Sequence, residues 1–61
     1  MRKVYVVLII ERMEFQGYQF FDKDIDAIYT NLNRAMKAKL SIEENLDKER
    51  YSVIIKTEVL I

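Results

Sequence analysis

Seven apolar residues in succession, Val4 to Ile10, constrain this chain more than any other feature. Five of them (Val4, Val6, Val7, Ile9 and Ile10) are β-branched, a bias that suits a pleated strand better than a helix. The run is far shorter than the about 20 residues a bilayer-spanning helix needs. Arg2 and Lys3 precede it, as in a signal peptide, but no small-residue cleavage site follows. A buried strand is therefore expected, starting at Lys3 and reaching the sheet rim near Phe15. Val4, Val6, Leu8 and Ile10 share one face of it, and Tyr5, Val7 and Ile9 the other. Because both faces are apolar, the strand should sit centrally, covered on each side.

The one glycine, Gly17, follows Gln16 and marks the best place for a tight hairpin turn. A two-residue turn there sets Phe15 opposite Tyr18, Met13 opposite Phe20, Leu8 opposite Ile25 and Tyr29 opposite Val4. The second strand then runs from Tyr18 to about Tyr29, with Thr30 or Asn31 capping a helix from about Leu32. A rival reading starts the helix at Asp24, because Ile25, Ile28, Tyr29, Leu32, Ala35, Met36 and Leu40 follow a helical period. Ile28-Tyr29-Thr30-Asn31 is poor helix-forming sequence, which favours the longer strand. Ser41 with Glu44 reads as a capping box, and Lys39 falls within the apolar stripe, so a break in the helix is expected there. Leu46 should anchor the last turn. From Tyr51 to Ile61 the chain alternates, with Tyr51, Val53, Ile55, Val59 and Ile61 on one side and Ile54 and Leu60 as apolar exceptions on the other. The expected fold is one α+β domain over residues 1–61: a three-stranded antiparallel or mixed sheet, one helix on one face, order ββαβ.

Composition narrows the chemistry. The chain has no Cys and no His, which removes thiolate and imidazole catalysis and Cys-ligated zinc. A single glycine cannot build a phosphate-binding loop. With 61 residues there is little body to wall off a substrate pocket, so no catalytic residue and no cofactor is expected. A domain of this size buries only about 60% of its unfolded surface, and without a disulfide or metal the usual remedy is oligomerisation. One helix covers one sheet face; the other, assigned here to Tyr5, Val7, Ile9 and the apolar exceptions of the last strand, is left for a partner. A homodimer, packed sheet on sheet or joined at its edges, is the expected solution.

Lys3-Val4-Tyr5-Val6-Val7, the junction Ile25-Asp26-Ala27-Ile28-Tyr29-Thr30-Asn31-Leu32-Asn33-Arg34-Ala35, and the stretch Tyr51 to Leu60 together resemble small phage and bacterial proteins of strand-strand-helix-strand order. The resemblance implies the fold and a phage or mobile-element source, with no activity carried on particular residues.

Three constellations remain. Asp22, Asp24 and Asp26 have the spacing that opens an EF-hand loop, but Ala27 stands where glycine is required and Asn33 where the bidentate glutamate belongs, so no metal site is expected. Phe15, Tyr18, Phe20 and Phe21 place four aromatics within seven positions. Alternation sends some of these rings outward, as contacts to a partner or to a second copy. Arg34, Lys37 and Lys39 form a short basic helical segment, the only candidate for nucleic-acid contact. The chain carries ten basic and ten acidic side chains with a pI near 6.2, which disfavours that use. The functional expectation is a non-catalytic, cytoplasmic protein-binding module, a phage or mobile-element accessory protein that binds or inhibits a bacterial host protein. The alternative is a small nucleic-acid-binding regulator.

Overall fold

The computed structural model describes residues 2–61. They form β1 (Arg2–Phe15), β2 (Tyr18–Tyr29), α1 (Leu32–Asn45) and β3 (Tyr51–Leu60), the α+β order expected. The three strands make one antiparallel sheet in the order β2-β1-β3, so the apolar run of β1 lies in the middle. Gln16 and Gly17 both have positive φ, 50° and 83°, as a type I′ turn demands.

From that turn the hairpin register runs as expected, with Phe15 opposite Tyr18, Met13 opposite Phe20 and Leu8 opposite Ile25. Beyond Leu8 it shifts: Val7 pairs with Ala27, and Asp26 is left without a partner in a β-bulge. Tyr29 consequently lies opposite Tyr5 and not Val4. The extra residue also reverses the pleat, so Ile25 and Ile28, opposite Leu8 and Val6, point to the same face. Their three-residue spacing imitates a helical period, the pattern behind the rival reading of a helix from Asp24. The helix begins at Leu32 instead, where the Asn31 side-chain oxygen accepts a hydrogen bond from the Arg34 N–H at 3.2 Å.

The helix runs unbroken from Leu32 to Asn45, past the capping-box sequence at Ser41. Lys39 sits half-buried in the inward stripe and is neutralised by Glu43 one turn on, at 3.2 Å, so the charge does not interrupt it. Ala35 is fully buried, and Ile42 and Leu46 continue the stripe onto the sheet.

Helix α1 packs on the face carrying Tyr5, Val7 and Ile9, where Val7, Ala35 and Val53 form the core with Tyr29, Ile42, Leu46 and Ile55 around them. The expectation that Tyr5, Val7 and Ile9 lie on the open face is therefore reversed. The open face instead carries Val4, Val6, Leu8 and Ile10 of β1, with Ile25, Ile28, Ile54 and Leu60 alongside. The two faces of β1 are about equally apolar, so apolar content does not choose between them. The choice belongs to the connection: β2 and β3 are parallel to each other on either side of β1, and a crossover joining parallel strands has one preferred hand.

Few side chains are enclosed. Only Val4, Val6, Val7, Ala35 and Val53 are buried among the described residues. The chain exposes 5190 Å², whereas the area–mass scaling for a folded 7.3 kDa monomer gives about 4,200 Å². Its radius of gyration is 13.3 Å against about 10.5 Å for a compact chain of this length. The molecule is a flat plate, 45 × 27 × 10 Å.

Candidate interaction surface

The long dimension comes from the β1–β2 hairpin. Pairing of β1 with β3 stops at Glu11 opposite Tyr51, while pairing with β2 continues to Phe15. Residues 12–15 and 18–21 thus form a two-stranded arm with no third strand beside it. Alternation makes the arm two-sided. Met13, Phe15, Tyr18 and Phe20 line one side as the cross-strand pairs Met13–Phe20 and Phe15–Tyr18, each 38–70% exposed. Arg12, Glu14, Gln19 and Phe21 line the other.

The base of the arm is braced by the segment between α1 and β3. The Arg12 guanidinium donates to the Glu49 carbonyl at 3.1 Å, and the Arg12 N–H donates to the Arg50 carbonyl at 2.8 Å. Arg50 in turn pairs with the Glu11 carboxylate at 2.8 Å and lies 5.7 Å from the Tyr51 ring, whose hydroxyl donates to the same carboxylate at 3.3 Å. This network ties β1 to β3 where the arm leaves the sheet. A surface concavity of about 510 Å³ lies beside it, lined by Arg12, Met13, Glu14, Phe15, Phe20 and Arg50.

The residues singled out as partner contacts fall into three groups. Phe15, Tyr18 and Phe20 come together on one side of the arm, joined by Met13, which sequence reasoning left out although the expected register already placed it opposite Phe20. Phe21 lies on the reverse side, opposite Arg12. Tyr5, Val7 and Ile9 are beneath the helix. Leu32, Met36 and Leu40, which share a helical period with Ala35 in the sequence, form a second apolar row one turn apart along α1 and are all exposed.

The basic trio is split. Arg34 and Lys37 are exposed on the outer surface, whereas Lys39 points inward and is held by Glu43. Asp22, Asp24 and Asp26 belong to an extended strand, two of them facing Glu11 and Ile9 across the ladder and the third bulged out. Among the described residues no group of three His, Cys, Asp or Glu side chains is placed to hold a metal ion. No helix among them is long and apolar enough to cross a membrane.

No protein family, curated protein or solved structure matches this chain.

Proposed function

We propose that this chain is a non-catalytic protein-binding module whose binding element is the apolar side of the hairpin arm. The observation that carries the reading is the row Met13, Phe15, Tyr18 and Phe20, two cross-strand pairs of large side chains held out beyond the third strand. Aromatic residues and Met are enriched in protein interfaces, Tyr is enriched among the few residues that carry most of the binding energy, and such anchors work best when presented on a rigid element. The type I′ turn at one end and the Arg12–Glu49 and Arg50–Glu11 contacts at the other supply that rigidity. The composition, without His or Cys, supports binding over catalysis. The resemblance to small phage proteins supports a mobile-element source and a bacterial host protein as the target, which the module would bind or inhibit.

The test is a quantitative pull-down from bacterial lysate with the wild-type chain, Tyr18→Ala, Phe20→Ala and, as a control on the outer helix surface, Lys37→Ala. A protein retained by the wild type and the control, but lost by tenfold or more with either arm variant, is the expected result. Equal retention by all four chains would remove the arm from the reading.

A further inference from the structure

We infer that β3 pairs with the β3 of a second copy of this chain, antiparallel and centred on Thr57, to make one continuous six-stranded sheet. The two edges of the monomer sheet are unlike. The outer strand β2 is guarded by Asp22, Lys23, Asp24 and Asp26 and broken by the bulge at Asp26, the devices that ordinarily keep an edge from recruiting another strand. The β3 edge has ten residues in unbroken register with β1, with no bulge and no proline, and its only charged side chains are Lys56 and Glu58.

Those two charges stand symmetrically about Thr57 in the segment Ile54-Ile55-Lys56-Thr57-Glu58-Val59-Leu60. The stretch reads apolar, apolar, positive, threonine, negative, apolar, apolar. A two-fold axis at Thr57 sets Lys56 against the partner's Glu58, and Glu58 against the partner's Lys56. It also sets Ile55 against the partner's Val59 and Ile54 against the partner's Leu60. Apart from the Thr57 self-pair on the axis, a cross-strand threonine pair, every pair is of opposite charge or apolar, which is what an isologous contact requires of one self-complementary patch.

The backbone agrees with this register. The Arg12 N–H bonds to the Arg50 carbonyl. In an antiparallel ladder with Arg12 opposite Arg50, the even-numbered residues of β3 then spend their polar groups on β1, and Val53, Ile55, Thr57 and Val59 turn theirs to the free edge, the Tyr51 N–H being taken by the Asp47 carbonyl. Pairing about Thr57 joins odd residues to odd residues, so free donors meet free acceptors. A slip by one residue would match odd with even and lose both the hydrogen bonds and the charge pairs.

The side chains that this contact adjoins are among those the monomer leaves uncovered: Ile54, Val59, Leu60 and Ile61 are all exposed. In the single chain Lys56 and Glu58 bridge each other at 3.0 Å along the strand, both in solvent. Across the axis each gains a second counter-ion directly opposite. This association uses neither face of the arm, so it stands or fails apart from the target-binding reading.

Light scattering with sedimentation equilibrium across micromolar concentrations tests it, with far-UV circular dichroism to verify each variant's fold. The wild type should reach twice the chain mass. Lys56→Glu and Glu58→Lys each turn both charge pairs repulsive and should weaken the homodimer tenfold or more. An equimolar mixture of those two variants restores opposite charges at both pairs and should form a heterodimer of near wild-type affinity, as should the homodimer of the double exchange. Thr57→Pro removes a free edge N–H without touching the β1 ladder and should give a folded monomer. A wild type that stays monomeric, single-charge variants that dimerise like the wild type, or a mixture that fails to associate would each overturn the inference.

Discussion

Val6 and Val7 are neighbours in β1, 8% and 0% exposed, yet they point to opposite faces of the sheet. Val7 lies against Ala35 and Val53 beneath the helix, whereas Val6 lies outside that cluster, shielded only by its own sheet, with Ile28 and Lys56 opposite it on the flanking strands. Replacing each by alanine separates these environments. Val7→Ala removes about two methylene equivalents from an enclosed site, worth about 1.6 kcal/mol in transfer energy, and a residual cavity brings the cost to about 2.5 kcal/mol. At the Val6 site, with no helix above it, no enclosed cavity forms and the transfer term stands alone, at about 1.5 kcal/mol. A chain of this length has about 3–9 kcal/mol of stability in all. Val7→Ala should accordingly lower Tm by about 10–20 °C, and Val6→Ala by about 6–12 °C. Urea unfolding followed by circular dichroism at low protein concentration, where dimer is depleted, measures both. If Val6→Ala costs as much as Val7→Ala, the face carrying Val4, Val6, Leu8 and Ile10 is covered in solution and the assignment of the open face is wrong.

Deleting Asp26 should leave the fold intact, because it removes the one unpaired residue of β2 and lets Ile25 and Ala27 keep their partners Leu8 and Val7; loss of cooperative unfolding in that variant would show that no bulge exists. Gln16→Asn should raise stability by about 0.5–1 kcal/mol, since asparagine tolerates the positive φ of the turn better than glutamine does, while Gly17→Ala should lower it by about 1–2 kcal/mol through backbone strain alone, there being open space around the site. Both are read from thermal melts, and equal stabilities would refute the type I′ assignment. Asn31→Ala should cost about 1 kcal/mol by removing the acceptor at the helix N-terminus, with Asn31→Ser restoring most of it.

The element order, the turn, the helix start and most of the hairpin register were legible because each rests on local chemistry: a β-branched run, one glycine after Gln16, an Asn cap and alternation from Tyr51 onward. Two things were not. The bulge at Asp26 leaves no local mark beyond an apolar spacing of three, which a helix produces equally well. Which face of β1 receives the helix depends on the handedness of the β2–α1–β3 connection, a non-local property, and with apolar residues on both faces nothing in Val4–Ile10 reveals it. The consequence for the candidate contacts was direct. Tyr5, Val7 and Ile9, expected on the open face, lie beneath the helix with Val7 in the core, while the positions of Phe15, Tyr18 and Phe20 on one side of the arm and Phe21 on the other depend only on the turn. Lys39 misled for a related reason: a lysine in an apolar stripe reads as a break, unless its counter-ion one turn later is counted with it.

The arm and the β3 edge lie at different sides of the plate, and their placement together has a functional consequence. In the six-stranded dimer inferred above, β1 of one protomer is antiparallel to β1 of its partner, because β3 is antiparallel to both β1 and the partner's β3. The two arms therefore extend in opposite directions from a shared, braced sheet. Such a molecule is bivalent: it holds two copies of a target apart, or bridges two sites on one target when their spacing matches. The gain is conditional on geometry, which makes it measurable. On a surface sparsely coated with target, Thr57→Pro should bind with the same kinetics as the wild type. On a densely coated surface the wild type alone should dissociate tenfold or more slowly, because the second arm rebinds before the first has left. Equal dissociation of the two chains at high density would show that the arms do not act as a pair, whatever the state of the β3 edge.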